Sequence, residues 1–66
     1  MIKSRLRVAL AEKEIVHGDF AKTLGITKQT ISGWVTSRTN PTLETALRIS
    51  YLLDKPVNEI WELKED

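Results

Sequence analysis

The chain contains no cysteine among its 66 residues, and this absence restricts how such a short protein can be stable. A chain of this length buries only about 60% of the surface that its unfolded form exposes, so its core is small. Without cysteine, neither disulfide bonds nor thiolate metal ligands can support the fold. Efficient helix packing and association with a second copy are the supports that remain. We therefore expect one domain over residues 1–66 that associates with itself.

Apolar residues recur at helical spacing along most of the chain, and glycine and proline divide the pattern into about five segments. The predicted helices span residues 3–13, 17–24, 28–36 and 43–53, with a last short turn from Val57 to Trp61. Gly25 follows the second helix where a left-handed residue is favoured. Thr27 and Thr42 are suitable N-caps for the third and fourth helices. The predicted fold class is all-α, a compact bundle of short helices.

The same spacing predicts which side chains pack inward. The expected core residues are Leu6, Ala9, Leu10, Ile15, Val16, Phe20, Ala21, Leu24, Ile31, Trp34, Val35, Leu43, Ala46, Leu47, Ile49 and Leu53. The outward side of the third helix would carry Lys28, Gln29, Ser32, Gly33 and Thr36. Near the end of the chain, the alternation from Ile60 to Leu63 also permits a short strand that pairs with residues 1–3.

Two short helices joined through Gly25, the second with a small polar face, form an arrangement that fits the DNA major groove. That groove is about 12 Å wide and admits one helix. The residues that would lie nearest the base edges are Lys28, Gln29, Ser32 and Gly33. The amide of Gln29 can donate and accept together, and so match N6 and N7 of adenine. An ordinary solvated helix face is the alternative interpretation.

Residues 20–34, F-A-K-T-L-G-I-T-K-Q-T-I-S-G-W, resemble the L-A-x-x-x-G-I/V-S/T-x-x-x-I-S-x-I/W core of Cro/C1-type (XRE) helix-turn-helix regulators. Residues 40–49, N-P-T-L-E-T-A-L-R-I, are similar to the N-P-S/T-L-x-x-x-L-x-I segment of that family. The resemblance runs from about residue 3 to residue 61. It implies a λ repressor-like fold that binds double-stranded DNA as a homodimer. The implied function is transcriptional regulation, as a repressor that occupies a palindromic operator.

Some positions depart from the family pattern where the family touches phosphate or caps a helix. His17 stands where glutamine is common, and Val16 replaces a capping serine or threonine, which costs the second helix about 1 kcal/mol. Val35 and Ser37 replace the glutamate and glycine of an E-x-G turn. The expected phosphate-contacting residues are His17, Thr27, Thr36, Arg38 and Asn40. For His17, simple exposure is the alternative.

Charge is divided unevenly along the chain. Residues 1–53 hold eight basic and four acidic residues, whereas residues 54–66 hold two basic and five acidic ones. This division suggests a body that approaches a polyanion and an end that points away from it. The expected dimer interface lies at that end, because three apolar residues follow the fourth helix and cannot all be buried within one copy: Ile60, Trp61 and Leu63. In the alternative interpretation, Trp61 folds back on its own fourth helix.

Other classes of function have little support. His17 is the only histidine, and no nucleophile, base and orienting group occur together, so we expect no enzyme, metal site, cofactor or small-molecule substrate. No apolar run reaches the roughly 18 residues of a membrane span, and the start lacks the apolar core of a signal peptide. We expect a cytoplasmic protein without membrane contact. The alternative function is a protein-interaction module, such as an antitoxin-like protein, although only five residues follow Trp61 to form a partner-binding extension.

Overall fold

The computed structural model describes residues 1–65, and in this part of the chain five helices are flanked by two short strands. The elements are β1 (Ile2–Ser4), α1 (Leu6–Glu12), α2 (His17–Leu24), α3 (Lys28–Val35), α4 (Leu43–Leu53), α5 (Val57–Ile60) and β2 (Trp61–Leu63). The predicted helical bundle is confirmed. The strand pair is also present: β1 and β2 are antiparallel, with Ile2 opposite Leu63 and Ser4 opposite Trp61. The first helix therefore begins at Leu6, later than expected, because the preceding residues belong to this ribbon.

The core forms where one face of each helix meets the others. The buried cluster consists of Leu6, Ala9, Leu10, Phe20, Ala21, Ile31, Trp34, Val35, Ile49, Leu53 and Ile60, with Ile15, Leu24, Ile26 and Trp61 packed partly against it. Three residues expected in the core are exposed instead: Val16, Leu43 and Leu47. Val16 has an extended backbone just before α2, so it follows no helical face. The inward face of α4 carries Ala46, Ile49 and Leu53, which leaves Leu43 and Leu47 at its side.

α3 and α4 begin with the side-chain caps that the sequence predicts. The hydroxyl oxygen of Thr27 accepts a hydrogen bond from the amide of Thr30 at 3.2 Å. The hydroxyl oxygen of Thr42 accepts one from the amide of Thr45 at 3.3 Å. α2 has no side-chain cap, as expected from Val16. The start of α3, which carries the candidate site, is therefore fixed locally by Thr27.

The first four helices end through the same backbone motif, in which one left-handed residue turns the chain. The left-handed residues are Glu14 (φ 56°), Gly25 (φ 72°), Ser37 (φ 63°) and Asp54 (φ 53°). In each case the next amide donates to a carbonyl five positions back; the pairs are Ile15 to Leu10, Ile26 to Ala21, Arg38 to Gly33 and Lys55 to Ser50. Only Gly25 has the residue type that adopts this conformation freely. The conformation costs Glu14 and Ser37 about 1–2 kcal/mol each, and Asp54 less, because aspartate adopts it more readily.

Two surface ion pairs, Lys55–Glu12 and Arg5–Glu62, connect parts of the chain that are distant in sequence. Lys55 Nζ lies 2.8 Å from Glu12 Oε1, and its hydrogen bond lowers the pKa of Glu12 while the pKa of Lys55 is raised. Glu62 lies 2.9 Å from Lys64 and 3.1 Å from Arg5, and the hydrogen bond from Lys64 is the main reason that the pKa of Glu62 is lowered. Because the carboxyl pKa values are lowered, the stabilisation is present at neutral pH and is lost as the pH falls through them.

Replacing the left-handed residue after α1 should stabilise the fold. We expect Glu14→Gly to raise the free energy of unfolding by roughly 0.5 kcal/mol, because the relief of left-handed strain, about 1–2 kcal/mol, exceeds the added entropy of the unfolded chain, roughly 0.5–1 kcal/mol. Removing an acidic side chain from the negative end of α1 acts in the same direction. Urea unfolding measures the change.

Lys13→Gly is the matched control, because Lys13 has a φ of −93° and lies one position earlier. This variant should be destabilised by roughly 0.5–1 kcal/mol. A loss of stability in Glu14→Gly comparable to that in Lys13→Gly would contradict a left-handed turn at Glu14.

Candidate nucleic-acid interface

The turn between α2 and α3 determines which side of α3 faces solvent. Gly25 adopts a left-handed conformation and reverses the chain, so that α3 packs across α2. Ile31, Trp34 and Val35 are buried on the inner side of α3. The opposite side carries three of the four residues expected to read bases, all exposed: Lys28, Gln29 and Ser32. Residues at these positions share one helix face near its start, which is the geometry required to meet a groove together.

Gly33 was predicted to lie open on this face, and that prediction is wrong because the residue is buried. A Cβ atom at Gly33 would lie 2.7 Å from Oγ1 of Thr39, so the loop after α3 covers the position. The carbonyl of Gly33 accepts hydrogen bonds from the amides of Arg38 at 2.9 Å and Thr39 at 3.2 Å. The helical spacing of the sequence could not predict that Gly33 is buried, because it does not show where the loop after α3 folds.

The loop between α3 and α4 supplies three of the residues expected to contact phosphate: Thr36, Arg38 and Asn40. All three are exposed. The hydroxyl of Thr36 donates to the carbonyl of Ser32 at 2.9 Å, so its hydrogen is already engaged by the helix. Arg38 forms no ion pair with any residue in the described range 1–65, and its guanidinium is therefore able to bind an anion. The hydroxyl of Ser37 accepts a hydrogen bond from the amide of Ser4 at 2.9 Å, which fastens the loop to β1.

The other two expected phosphate contacts lie at helix starts. His17 is the first residue of α2 and is half-buried, and Thr27 caps α3. Both positions are at positive helix ends, where an anion is favoured. The oxygen of Thr27 already accepts from the amide of Thr30, and a second contact of 2.9 Å joins the two threonine hydroxyls. Thr27 therefore lies next to the exposed residues at the start of α3, and His17 lies at the start of the preceding helix.

The residues expected at a dimer interface divide into three cases. Ile60 is fully buried in the core of a single copy, so its prediction as an interface residue is wrong. It is buried there because α5 turns inward before β2 begins, and its carbonyl accepts a hydrogen bond from the amide of Arg5 at 2.7 Å. Trp61 is half-buried against its own core, which agrees with the alternative that it folds back. Leu63 is exposed.

A groove of about 270 Å³, which we call the apolar groove and whose lining within residues 1–65 has no charged residue, lies between α4, α5 and the terminal ribbon. It is lined by Ile2, Asn40, Pro41, Leu43, Ala46, Val57 and Trp61. Beside it, three exposed residues follow one another at four-residue spacing along α4 and form what we call the α4 ridge: Leu43, Leu47 and Tyr51, which are 73%, 50% and 85% exposed. The spacing of apolar residues predicted that Leu43 and Leu47 lie in the core. This spacing identifies an apolar helix face, but it does not show whether that face packs within one copy of the chain.

Comparisons with known proteins agree with this geometry. The helix-turn-helix family matches residues 17–60, which extend from the start of α2 to the end of α5. The crystal structure of a candidate DNA-binding protein from Bacteroides fragilis is similar, with a TM-score of 0.86 and 27% sequence identity. The similarity covers 94% of this chain and 100% of that one. A search of curated proteins finds no match.

Two further observations concern the described residues. None of their helices has the length and apolar character needed to cross a membrane. Within residues 1–65, no group of histidine, aspartate and glutamate side chains is arranged to hold a metal ion.

The contact between Gly33 and Thr39 can be tested through stability. Alanine is favoured over glycine inside a helix by about 1 kcal/mol, but in the native chain the new methyl group would meet Oγ1 of Thr39. We expect Gly33→Ala to give no gain in the native background and a gain of about 1 kcal/mol in a Thr39→Ala background. Urea unfolding of the wild type, the two single variants and the double variant measures these effects in a double-mutant cycle. Equal effects of Gly33→Ala in both backgrounds would show that the two residues do not touch.

Proposed function

The chain belongs to the Cro/C1-type (XRE) helix-turn-helix family, and we propose that it regulates transcription by binding a specific sequence in double-stranded DNA. The observation that carries this proposal is the exposed set Lys28, Gln29 and Ser32 at the start of α3, followed in the next loop by exposed Arg38, which forms no ion pair within residues 1–65. The similar protein from Bacteroides fragilis is itself a candidate DNA-binding protein. Nothing in this role requires catalysis, a cofactor or a membrane.

In the proposed complex, α3 lies in the major groove. The amide of Gln29 pairs with N6 and N7 of an adenine, while Lys28 and Ser32 meet neighbouring base edges. Around this helix, the five phosphate-contacting residues hold the protein on the backbone: His17, Thr27, Thr36, Arg38 and Asn40. The phosphate contacts supply affinity and the base contacts supply sequence preference.

We further propose that the protein is a repressor that acts in the cytoplasm. Repression requires only that the protein occupy an operator overlapping a promoter, and an exposed recognition helix on a small bundle is sufficient for that.

We also propose that two copies pair through the α4 ridge and the apolar groove beside it. Leu43 belongs both to the ridge and to the lining of the groove, so a two-fold axis would allow Leu47 and Tyr51 of each copy to pack against the groove of the other. The groove contains no charged residue, so its burial costs no desolvation of ions. Glu44 and Arg48 are exposed next to the ridge and form an ion pair with each other at 3.5 Å within one copy. Antiparallel pairing of two α4 helices would also bring Glu44 of one copy toward the partner's Arg48.

Two residues originally expected at the interface keep a place in this dimer. Trp61 lines the groove. Leu63 is the ribbon partner of Ile2, which also lines the groove, and paired residues lie on the same face of an antiparallel ribbon. A two-fold dimer with its recognition helices about 34 Å apart would require a near-palindromic operator.

Selection of binding sites from random duplex DNA at about 150 mM salt tests the function. We expect enrichment of one near-palindromic sequence. Enrichment of a single half-site would contradict the dimer, and no enrichment would contradict DNA recognition. In the last case the antitoxin-like interaction module would become the better interpretation, with the groove as its binding surface.

Gln29→Ala should relax the choice of base at one position in each half-site. The expected loss is about 1–3 kcal/mol of discrimination at that base pair, because one bidentate contact is removed. Affinities for operators that differ at single positions measure it. Equal weakening on all sequences would contradict base reading by Gln29.

Arg38→Ala should weaken specific and random DNA by similar amounts, because a phosphate contact is independent of sequence. The slope of log affinity against log salt concentration should fall in magnitude by about 0.9 per phosphate contact, which is about 1.8 for a dimer that loses two contacts. Arg7→Ala is the control, since Arg7 is exposed on α1, outside the expected contact set. An unchanged slope for Arg38→Ala would remove Arg38 from that set.

Leu47→Glu should convert the dimer to a monomer, because it introduces a charge at the centre of the α4 ridge. Sedimentation at tens of micromolar measures this, and operator affinity should fall far more than affinity for random DNA. Val8→Glu is the matched control: Val8 is 56% exposed on α1, away from ridge and groove, so this variant should remain dimeric. A wild-type protein that sediments as a monomer would contradict the dimer.

A further inference from the structure

Gly33, which the loop after α3 covers, lies beside Gln29, the residue expected to bind adenine. Gln29 and Gly33 are four residues apart on one helix, and such residues are neighbours on the same face. A side chain at position 33 would therefore stand next to Gln29 on the outward side of α3. Gly33 has no side chain, and Oγ1 of Thr39 lies 2.7 Å from where its Cβ would be, with Cβ of Thr39 at 3.9 Å. Thr39 thus occupies the place that a helical side chain would have taken.

Thr39 is held at this place by the backbone of the loop. Its amide and that of Arg38 both donate to the carbonyl of Gly33, at 3.2 and 2.9 Å. The left-handed turn at Ser37 brings the loop back over the helix, and the bond from the amide of Ser4 to the hydroxyl of Ser37 supports that turn. Thr39 itself is exposed. The backbone of Thr39 is consequently fixed relative to α3, with Oγ1 close to Gly33, while the residue as a whole stays accessible to solvent.

We propose that Thr39 reads a base pair of the operator from the loop, next to the base pair read by Gln29. Its hydroxyl can donate to or accept from a base edge in the major groove, which is a contact that threonine makes with several bases. Gly33 has a matching role, because any larger residue there would push the hydroxyl away. This inference rests on the DNA-binding function proposed above, and it adds a residue outside α3 to the set that determines specificity.

Binding-site selection with wild-type protein, Thr39→Val and Thr39→Ser tests the role of Thr39. Valine keeps the shape and a methyl group but removes the hydroxyl, whereas serine keeps the hydroxyl. We expect Thr39→Val to reduce discrimination at one base pair roughly 3- to 10-fold, the effect of one hydrogen bond, while Thr39→Ser retains it. That base pair should adjoin the one affected by Gln29→Ala, and Gly33→Ala should alter preference at the same base pair as Thr39→Val.

Thr23→Val is the matched control, because Thr23 is an exposed threonine on α2 whose hydroxyl donates to the carbonyl of Asp19. Its selected sequence should match that of the wild type. If the wild type enriches a sequence and Thr39→Val leaves every preference unchanged, or weakens all sequences equally, the role of Thr39 is overturned while DNA recognition stands. If the wild type enriches nothing, the proposed function fails and the role of Thr39 fails with it.

Discussion

The left-handed turn at the end of each of the first four helices is the constraint on which the rest of the structure depends. A chain this short has no room for long connections, so one residue must redirect it each time. The turn at Gly25 directs α3 across α2 and so selects which of its sides is exposed. The turn at Ser37 sends the following loop back over Gly33. Glu14 and Ser37 are not residue types that favour this conformation, so tertiary packing contributes to holding their turns.

The loop after α3 connects the two surfaces that the proposed function uses. Thr39 covers Gly33 on α3, and Asn40 and Pro41, which follow it directly, line the apolar groove. A second copy seated in that groove would therefore touch Asn40, which is also one of the proposed phosphate contacts. Pairing and recognition are then physically linked through a few residues of backbone, and neither surface can shift without moving the loop.

Local signals made much of this fold predictable. The helical spacing located four helices, glycine marked the turn at Gly25, and the two threonine caps are present as expected. The errors arose where an outcome depends on distant parts of the chain. The burial of Ile60, the exposure of Leu43 and the cover over Gly33 follow from how helices and loops meet in space, and periodicity along one helix contains no information about that. The exposure of Lys28 and Gln29 was predictable because it depends only on the inner face of their own helix.

The ribbon of β1 and β2 joins residues from opposite ends of the chain, and this has a consequence for the order of folding. Helices form from local contacts, whereas closing a loop that includes nearly the whole chain costs entropy that only later contacts recover. We expect the ribbon to assemble last and to open first, with the fastest hydrogen exchange among the paired backbone amides. Because Ser4 holds the α3–α4 loop and Trp61 lines the groove, a partly opened ribbon would release both surfaces at once. Opening and closing of the β1–β2 ribbon would then affect DNA recognition and pairing of the two copies together.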